Sequence, residues 1–349
     1  MKAMTVVPGK LDSARVDEVD EPPVEDGSVL VEGLFVGVCG TDVEIVTEGY
    51  GSPPAGRDRL TLFHESLGRV VEAPDGSGLA PGDLVAGIVR RPDPVPCPPC
   101  ANGQWDFCRN GRYTERGIKD RDGYGSQRWR VDPRFAVRVD PAVGDLGVLL
   151  EPTSVVAKAW DQADVALSRV ADEPQTVLVT GAGPIGLLAA LIGVQRGLDV
   201  HVVDRVTEGP KPALVADLGA TYHTKQVHEL GISPDVVMEC TGVGQVVFDA
   251  MATCTPNAVV VLTGISSGRR TVEASLDALN KTMVLTNETV IGSVNAGRKH
   301  YEAAAEALAR ADRDWLARLV TRRVPMADWQ QALRREPDDV KVVVDIQAG

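Results

Sequence analysis

The sequence predicts a two-part α/β fold, a β-rich first part followed by a doubly wound parallel sheet. Three observations predict it. Residues 1 to about 155 are rich in Gly and Pro, which break the apolar residues into short runs. From about residue 175, short apolar runs alternate with stretches of helical spacing. The first of these later runs, TVLVT, leads directly into the glycine turn GAGPIG at 181–186. With 349 residues the chain is long enough for two domains.

The elements follow in order. Ser28–Val36, Leu67–Glu72 and Asp83–Val89 read as strands of a barrel-like domain. Thr176–Thr180 is a short buried strand, Leu187–Arg196 a helix and Asp199–Val203 the next strand. Asp235–Cys240 and Ala258–Leu262 continue the sheet, with a helical stretch around Gln245–Thr253 between them. Lys299–Ala309 and Ala327–Arg334 have helical spacing, and Lys341–Ile346 is a final strand.

Composition narrows the function classes. Hydrophobic residues make up 44% and aromatics 4%, so the cores are expected to be aliphatic. A formal charge of -13 and a pI near 4.9 argue against nucleic acid or an anionic membrane as partner. The start, MKAMTVVPGK, lacks a charged segment followed by a sustained apolar run, and no stretch reaches the roughly 18 apolar residues of a membrane span. A cytoplasmic protein is expected. Six cysteines in a chain of this size do not make a disulfide framework, and Cys97, Cys100 and Cys108 are bunched as metal ligands are.

The glycine turn has a strand before it and a helix after it, the context a dinucleotide site requires. Gly181 permits the tight turn, Gly183 lets pyrophosphate approach the backbone, and Gly186 lets helix and strand pack closely; Pro184 and Ile185 complete the contact segment. Asp204, closing DVHVV about twenty residues beyond the turn, is placed to accept hydrogen bonds from the ribose hydroxyls and favours NAD. Arg205 beside it could accommodate a 2′-phosphate, so NADP remains possible; as a strand-ending turn residue, Asp204 also has a purely structural alternative. Thr241, after the strand Asp235–Cys240, is a further candidate cofactor contact.

A second group of residues suits a metal. Cys39 in CGTD, the His64-Glu65 pair and Glu151 in LLEPTS supply a thiolate, an imidazole and two carboxylates. That mixture suits Zn²⁺ with a coordination position left open for substrate. Asp42 is expected to orient the imidazole from behind, and Thr41 offers a hydroxyl two residues from the thiolate.

Five stretches carry a resemblance: CGTDVEIV, LFHESLGRVVE, CPPC…WDFC with YTERGI after it, EPTSVVAKA, and NKTMVLTNETVIGSVNAGRKHYEAA. The chain resembles the zinc-dependent medium-chain dehydrogenase/reductases over its whole length, and among them the microbial glucose dehydrogenases. The resemblance implies a GroES-like catalytic domain at 1–160, to which 296–349 returns, and a Rossmann dinucleotide-binding domain at 161–295. It also implies a homodimer or homotetramer. Cys39, His64 and either Glu65 or Glu151 would bind a catalytic zinc. Thr41 would pass on the proton of the reacting hydroxyl, and Glu44 would sit at the outer end of that relay. Glu115, Asn295 and His300 match positions that contact sugar or cofactor, with surface or helix-cap roles as their alternative. Arg90 and Arg91 read as a solvated basic pair, with a place in the same cleft as the alternative.

The expected reaction is hydride transfer from the anomeric carbon of an aldose to NAD(P)⁺, giving a lactone. The alternatives are a polyol, secondary alcohol or modified-sugar dehydrogenase of the same superfamily, a zinc-free quinone or enoyl reductase, and a non-catalytic nucleotide-binding module. The cysteine lobe departs from the family's C-x2-C-x2-C-x7-C pattern. Cys97, Cys100 and Cys108 occupy the last three places, but Pro94 holds the first. Asp93 beside it would have to supply the fourth ligand of a structural zinc, or the lobe is metal-free.

Overall fold

The computed structural model describes residues 1–266 and 271–348. It divides into two compact units, Met1–Ser154 with Asn295–Gly349, and Val155–Val294. Among the described residues, no helix is long and apolar enough to cross a membrane.

The second unit is built on a six-stranded sheet in the order Thr221–His223, Asp199–Val203, Thr176–Thr180, Val236–Glu239, Val259–Leu262, Thr289–Gly292. Every neighbouring pair is parallel. Strands covered on both faces must be apolar on both, and Val177–Val179 (VLV), VVM and VVV are buried as continuous runs. The helix Pro184–Gln195 is apolar all round, with eight consecutive buried residues from Gly186 to Gly193. The chain enters at Thr176–Thr180, moves outward to one edge, then crosses back to Val236–Glu239 and moves to the other edge. The order therefore reverses between these two strands, and the carboxyl ends on either side of such a reversal form a ligand crevice. The glycine turn follows one of them and Thr241 the other.

In the first unit, a seven-stranded sheet runs Ala136–Arg138, Leu84–Gly87, Glu65–Glu72, Val29–Val38, Lys341–Asp345, Val320–Pro325, with Arg128–Val131 also paired to Val29–Val38. Lys2–Val7 lies between Lys10–Glu18 and Leu60–Thr61 in a second sheet, and Arg90–Arg91, Thr114–Arg116 and Asp120–Arg121 form a third. The last strand of the chain is thus central: Lys341–Asp345 pairs antiparallel with Val29–Val38, Val342 opposite Val38 and Val343 opposite Gly37. Glu65 lies opposite Gly37 on the other side. The expected helix at Ala327–Arg334 is a 3-10 segment, Met326–Leu333, interrupted at Asp328. Trp329, its largest side chain, packs edge-on against Phe63.

Candidate functional site

The strand Val29–Val38 delivers Cys39 to the start of the helix Gly40–Glu48. There the Thr41 backbone N–H donates to Cys39 Sγ at 3.3 Å, and the Cys39 N–H donates to Asp42 Oδ2 at 2.9 Å. His64 and Glu65 enter from the adjacent strand, and Cys39, His64 and Glu65 present ligand atoms within 4.8 Å of one another. Cys39 Sγ and His64 Nε2 are 3.3 Å apart. That is close to the roughly 3.5 Å expected of a thiolate and an imidazole sharing a tetrahedral zinc at about 2.3 and 2.0 Å. The donor set therefore fits zinc.

Asp42 is fully buried behind His64, with Oδ1 3.7 Å from Nδ1. Neither atom has a hydrogen-bond partner among the described residues. Burial disfavours a charged His64, yet Cys39, Asp42 and Glu151 outweigh it and raise its pKa well above the ordinary value, so the pocket favours a cation. Glu151, in the first turn of the helix Leu150–Leu167, stands outside the group of three. Its burial pushes its carboxyl up to about 7, with His64 opposing the shift and Glu65 adding to it.

Lys341 is the member that sequence reasoning missed. It is buried, its ammonium meets the Glu65 carboxylate, and Nζ donates to Val38 O at 3.0 Å. A buried carboxylate needs such a partner. Gly37 makes room for the pair, because a Cβ there would fall 2.9 Å from Lys341 Cε and collide with Glu65 Oε2. The only local signal was a lysine at the edge of an apolar strand, KVVVD, which names no partner.

The cysteine lobe brings Cys97, Cys100 and Cys108 within the same 4.8 Å limit, all three as free thiols. Backbone N–H groups of Arg109 and Cys100 lower the Cys97 pKa to about 7, while burial pushes Cys100 up to about 11. Asp93 does not join them. Its carboxylate accepts from Val95 N at 2.8 Å, Asn110 Nδ2 at 2.8 Å and Arg112 Nε at 3.1 Å, so its lone pairs are already directed elsewhere.

Arg90 and Arg91 are not a solvated pair; both are buried. Arg91 Nη1 donates to Ile88 O at 2.6 Å and its guanidinium lies over the Phe135 ring. Arg90 pairs with Glu115, which also accepts from Asn295 Nδ2 at 2.8 Å. Asn295 adopts a left-handed conformation, φ 62°. His300 is buried, and its Nδ1 accepts from Gly297 N at 2.9 Å at the start of the helix Arg298–Arg310. That bond commits one ring nitrogen to the chain itself, the helix-cap alternative. Glu44 and Thr41 are half-buried on the first turns of Gly40–Glu48.

In the second unit each glycine of the turn has a separate reason. Gly181 takes φ 87°. At Gly186 a Cβ would fall 1.7 Å from Gly181 O, so helix and strand touch there. At Gly183 a Cβ would meet nothing within 4 Å, the open backbone a pyrophosphate requires, and Pro184 and Ile185 begin the helix behind it. Asp204 Oδ2 accepts from Ala182 N at 2.8 Å and from Lys211 Nζ at 2.9 Å, and Oδ1 accepts from Val206 N at 3.0 Å. Burial opposes its charge, but these donors hold its pKa below the usual carboxylate value. Arg205 is exposed beside it. Buried Glu239 was also missed: it accepts from Thr180 Oγ1, from Thr241 N and Oγ1, and from Gly242 N, and so fixes the Thr241 loop.

The chain matches two family descriptions, the alcohol dehydrogenase GroES-like domain over residues 25–141 and the glucose dehydrogenase C-terminus over residues 144–346. A glucose 1-dehydrogenase of Methanocella arvoryzae is 39% identical, with both chains covered in full. Glucose 1-dehydrogenase 2 of Vulcanisaeta moutnovskia is likewise 39% identical over 99% of each chain. A solved structure of Haloferax mediterranei glucose dehydrogenase in complex with NADP, Zn and gluconolactone superposes with a TM-score of 0.91, 31% identity and full coverage of both chains. The chain belongs to the glucose dehydrogenase family of zinc-dependent medium-chain dehydrogenase/reductases.

Proposed function

We propose that this chain oxidises an aldose such as glucose at its anomeric carbon, transferring hydride to NAD(P)⁺ and releasing a proton and the lactone. The observation that carries this reading is the Cys39, His64 and Glu65 cluster in a chain that also holds a dinucleotide turn. Zinc would supply a Lewis acid that lets the substrate hydroxyl lose its proton near neutral pH, and the nicotinamide would take the hydride. Cys39 and His64 would hold the metal, with Glu65 or Glu151 completing the set, and Asp42 would fix the imidazole. Thr41 would accept the departing proton and Glu44 would deliver it to solvent. Glu115 would bind a sugar hydroxyl.

On the cofactor side, Gly181, Gly183 and Gly186 would seat the pyrophosphate, and Asp204 the ribose. Lys211 already neutralises Asp204, so a 2′-phosphate meets less repulsion than the sequence implied. NADP is therefore as well accommodated as NAD, with Arg205 as an added cation. The helix Leu276–Thr286 has no buried residue, and Leu276, Val284 and Leu285 are exposed. These exposed apolar side chains, next in sequence to the edge strand Thr289–Gly292, support a homo-oligomer. Six free thiols suit the reducing cytoplasm.

The test is NAD(P)H formation across a panel of aldoses, polyols and secondary alcohols, with the sugar product identified by mass. Lactone formed from an aldose is expected. Turnover only with polyols or secondary alcohols would replace the aldose reading.

A further inference from the structure

Arg90 is held at every edge of its guanidinium. Nε and Nη2 each reach Glu115 Oε1 at 3.0 Å, Nη1 donates to Asp106 O at 3.1 Å, and its face lies 3.8 Å from the Tyr113 ring centre. Asn295 Nδ2 donates to the same Glu115 Oε1. Two hydrogen bonds and an ion-pair contact thus converge on one carboxylate oxygen, and Oε2 receives none of them. Such an arrangement fixes the carboxylate plane and leaves one charged acceptor to be presented.

Backbone contacts carry this group to the metal-ligand cluster by three routes within the first unit. Val89 N, beside Arg90, donates to Tyr301 OH at 3.3 Å, and Tyr301 feels the charge of Glu151. Gly117, two residues after Glu115, packs so tightly on Phe63 that a Cβ would fall 2.8 Å from Phe63 O, immediately before His64. Ser52, just past the helix that starts after Cys39, pairs with Ile118 O and Asp120 N. A carboxylate acceptor beside the Tyr113 ring suits a polyhydroxylated ring, whose hydroxyls donate and whose C–H face is apolar.

We propose that Arg90 is a positioning residue that, with Asn295, clamps Glu115 Oε1 so that Oε2 accepts a hydroxyl of the sugar. This deepens the aldose reading and rests on it. Arg90→Lys keeps the charge but loses the planar fork, and Asn295→Gly removes the amide without straining the left-handed backbone. In the zinc-loaded enzyme, Arg90→Lys is expected to raise the sugar KM by roughly tenfold or more, with Asn295→Gly moving it the same way. The KM for NADP should stay within about twofold. In a Glu115→Gln background, Arg90→Lys should add less than about twofold, because its partner is already gone. An unchanged sugar KM in both variants, a full additional loss in the Glu115→Gln background, or equal loss of sugar and cofactor binding overturns the proposal while a working wild-type leaves the aldose reading intact. A wild-type enzyme inactive with every aldose overturns both.

Discussion

The chain carries two thiol-bearing clusters of similar compactness, and they differ in what surrounds them. Cys39, His64 and Glu65 come together from different elements, backed by Asp42, Lys341 and Glu151. Cys97, Cys100 and Cys108 come from one stretch of chain, and the Asp93 carboxylate is turned to Arg112 and Asn110. The first cluster is a mixed donor set with supporting groups that fix each ligand, as a site with one open position requires. The second is three thiols that no fourth His, Cys, Asp or Glu ligand joins among the described residues. Ligand spacing alone does not separate the two; the second layer of side chains does.

The largest effect that tests this contrast is on turnover. Cys39→Ala should lower kcat/KM by roughly 10³-fold or more, since polarisation of the substrate oxygen is worth several kcal/mol. Cys108→Ala should cost less than about tenfold in activity, with its effect read in the melting temperature. Equal losses from both would erase the distinction between the clusters.

Lys341→Met probes the supporting layer. It strands the buried Glu65 carboxylate, so about 3–5 kcal/mol of stability should be lost, measured by chemical denaturation. A loss below about 1 kcal/mol would mean that Glu65 is compensated by other groups.

The smallest effect concerns the dinucleotide site. Lys211→Met removes the cation on Asp204 and should shift kcat/KM toward NAD over NADP by roughly tenfold, since Asp204 would then repel a 2′-phosphate. An unchanged ratio would assign cofactor choice to residues other than this pair.

The parts of the molecule legible in sequence were those fixed by local pattern. TVLVT followed by GAGPIG, and the strand at Asp199–Val203, follow from apolar runs and a turn that needs glycine at set places. Cys39, His64 and Glu65 were legible because their donor chemistry is unusual in combination. Lys341, Glu239 and Lys211 were not, because each acts through a partner that only the folded chain supplies: Glu65 across the strand pairing, Thr180 on the neighbouring strand, Asp204 across a loop. Arg90 and Arg91 misled for the opposite reason. An adjacent basic pair looks solvated in sequence, and only the carbonyls, rings and Glu115 around them make burial tolerable. Asp93 was misplaced by proximity in sequence to the missing cysteine.

The central claim is that the mixed cluster is the zinc centre on which turnover depends. It is tested most directly by zinc content per subunit, measured with turnover on the same preparations of wild-type protein and Cys39→Ala. Loss of one equivalent of zinc together with glucose-dependent NADPH formation is the predicted result. Unchanged zinc content with turnover retained would contradict it.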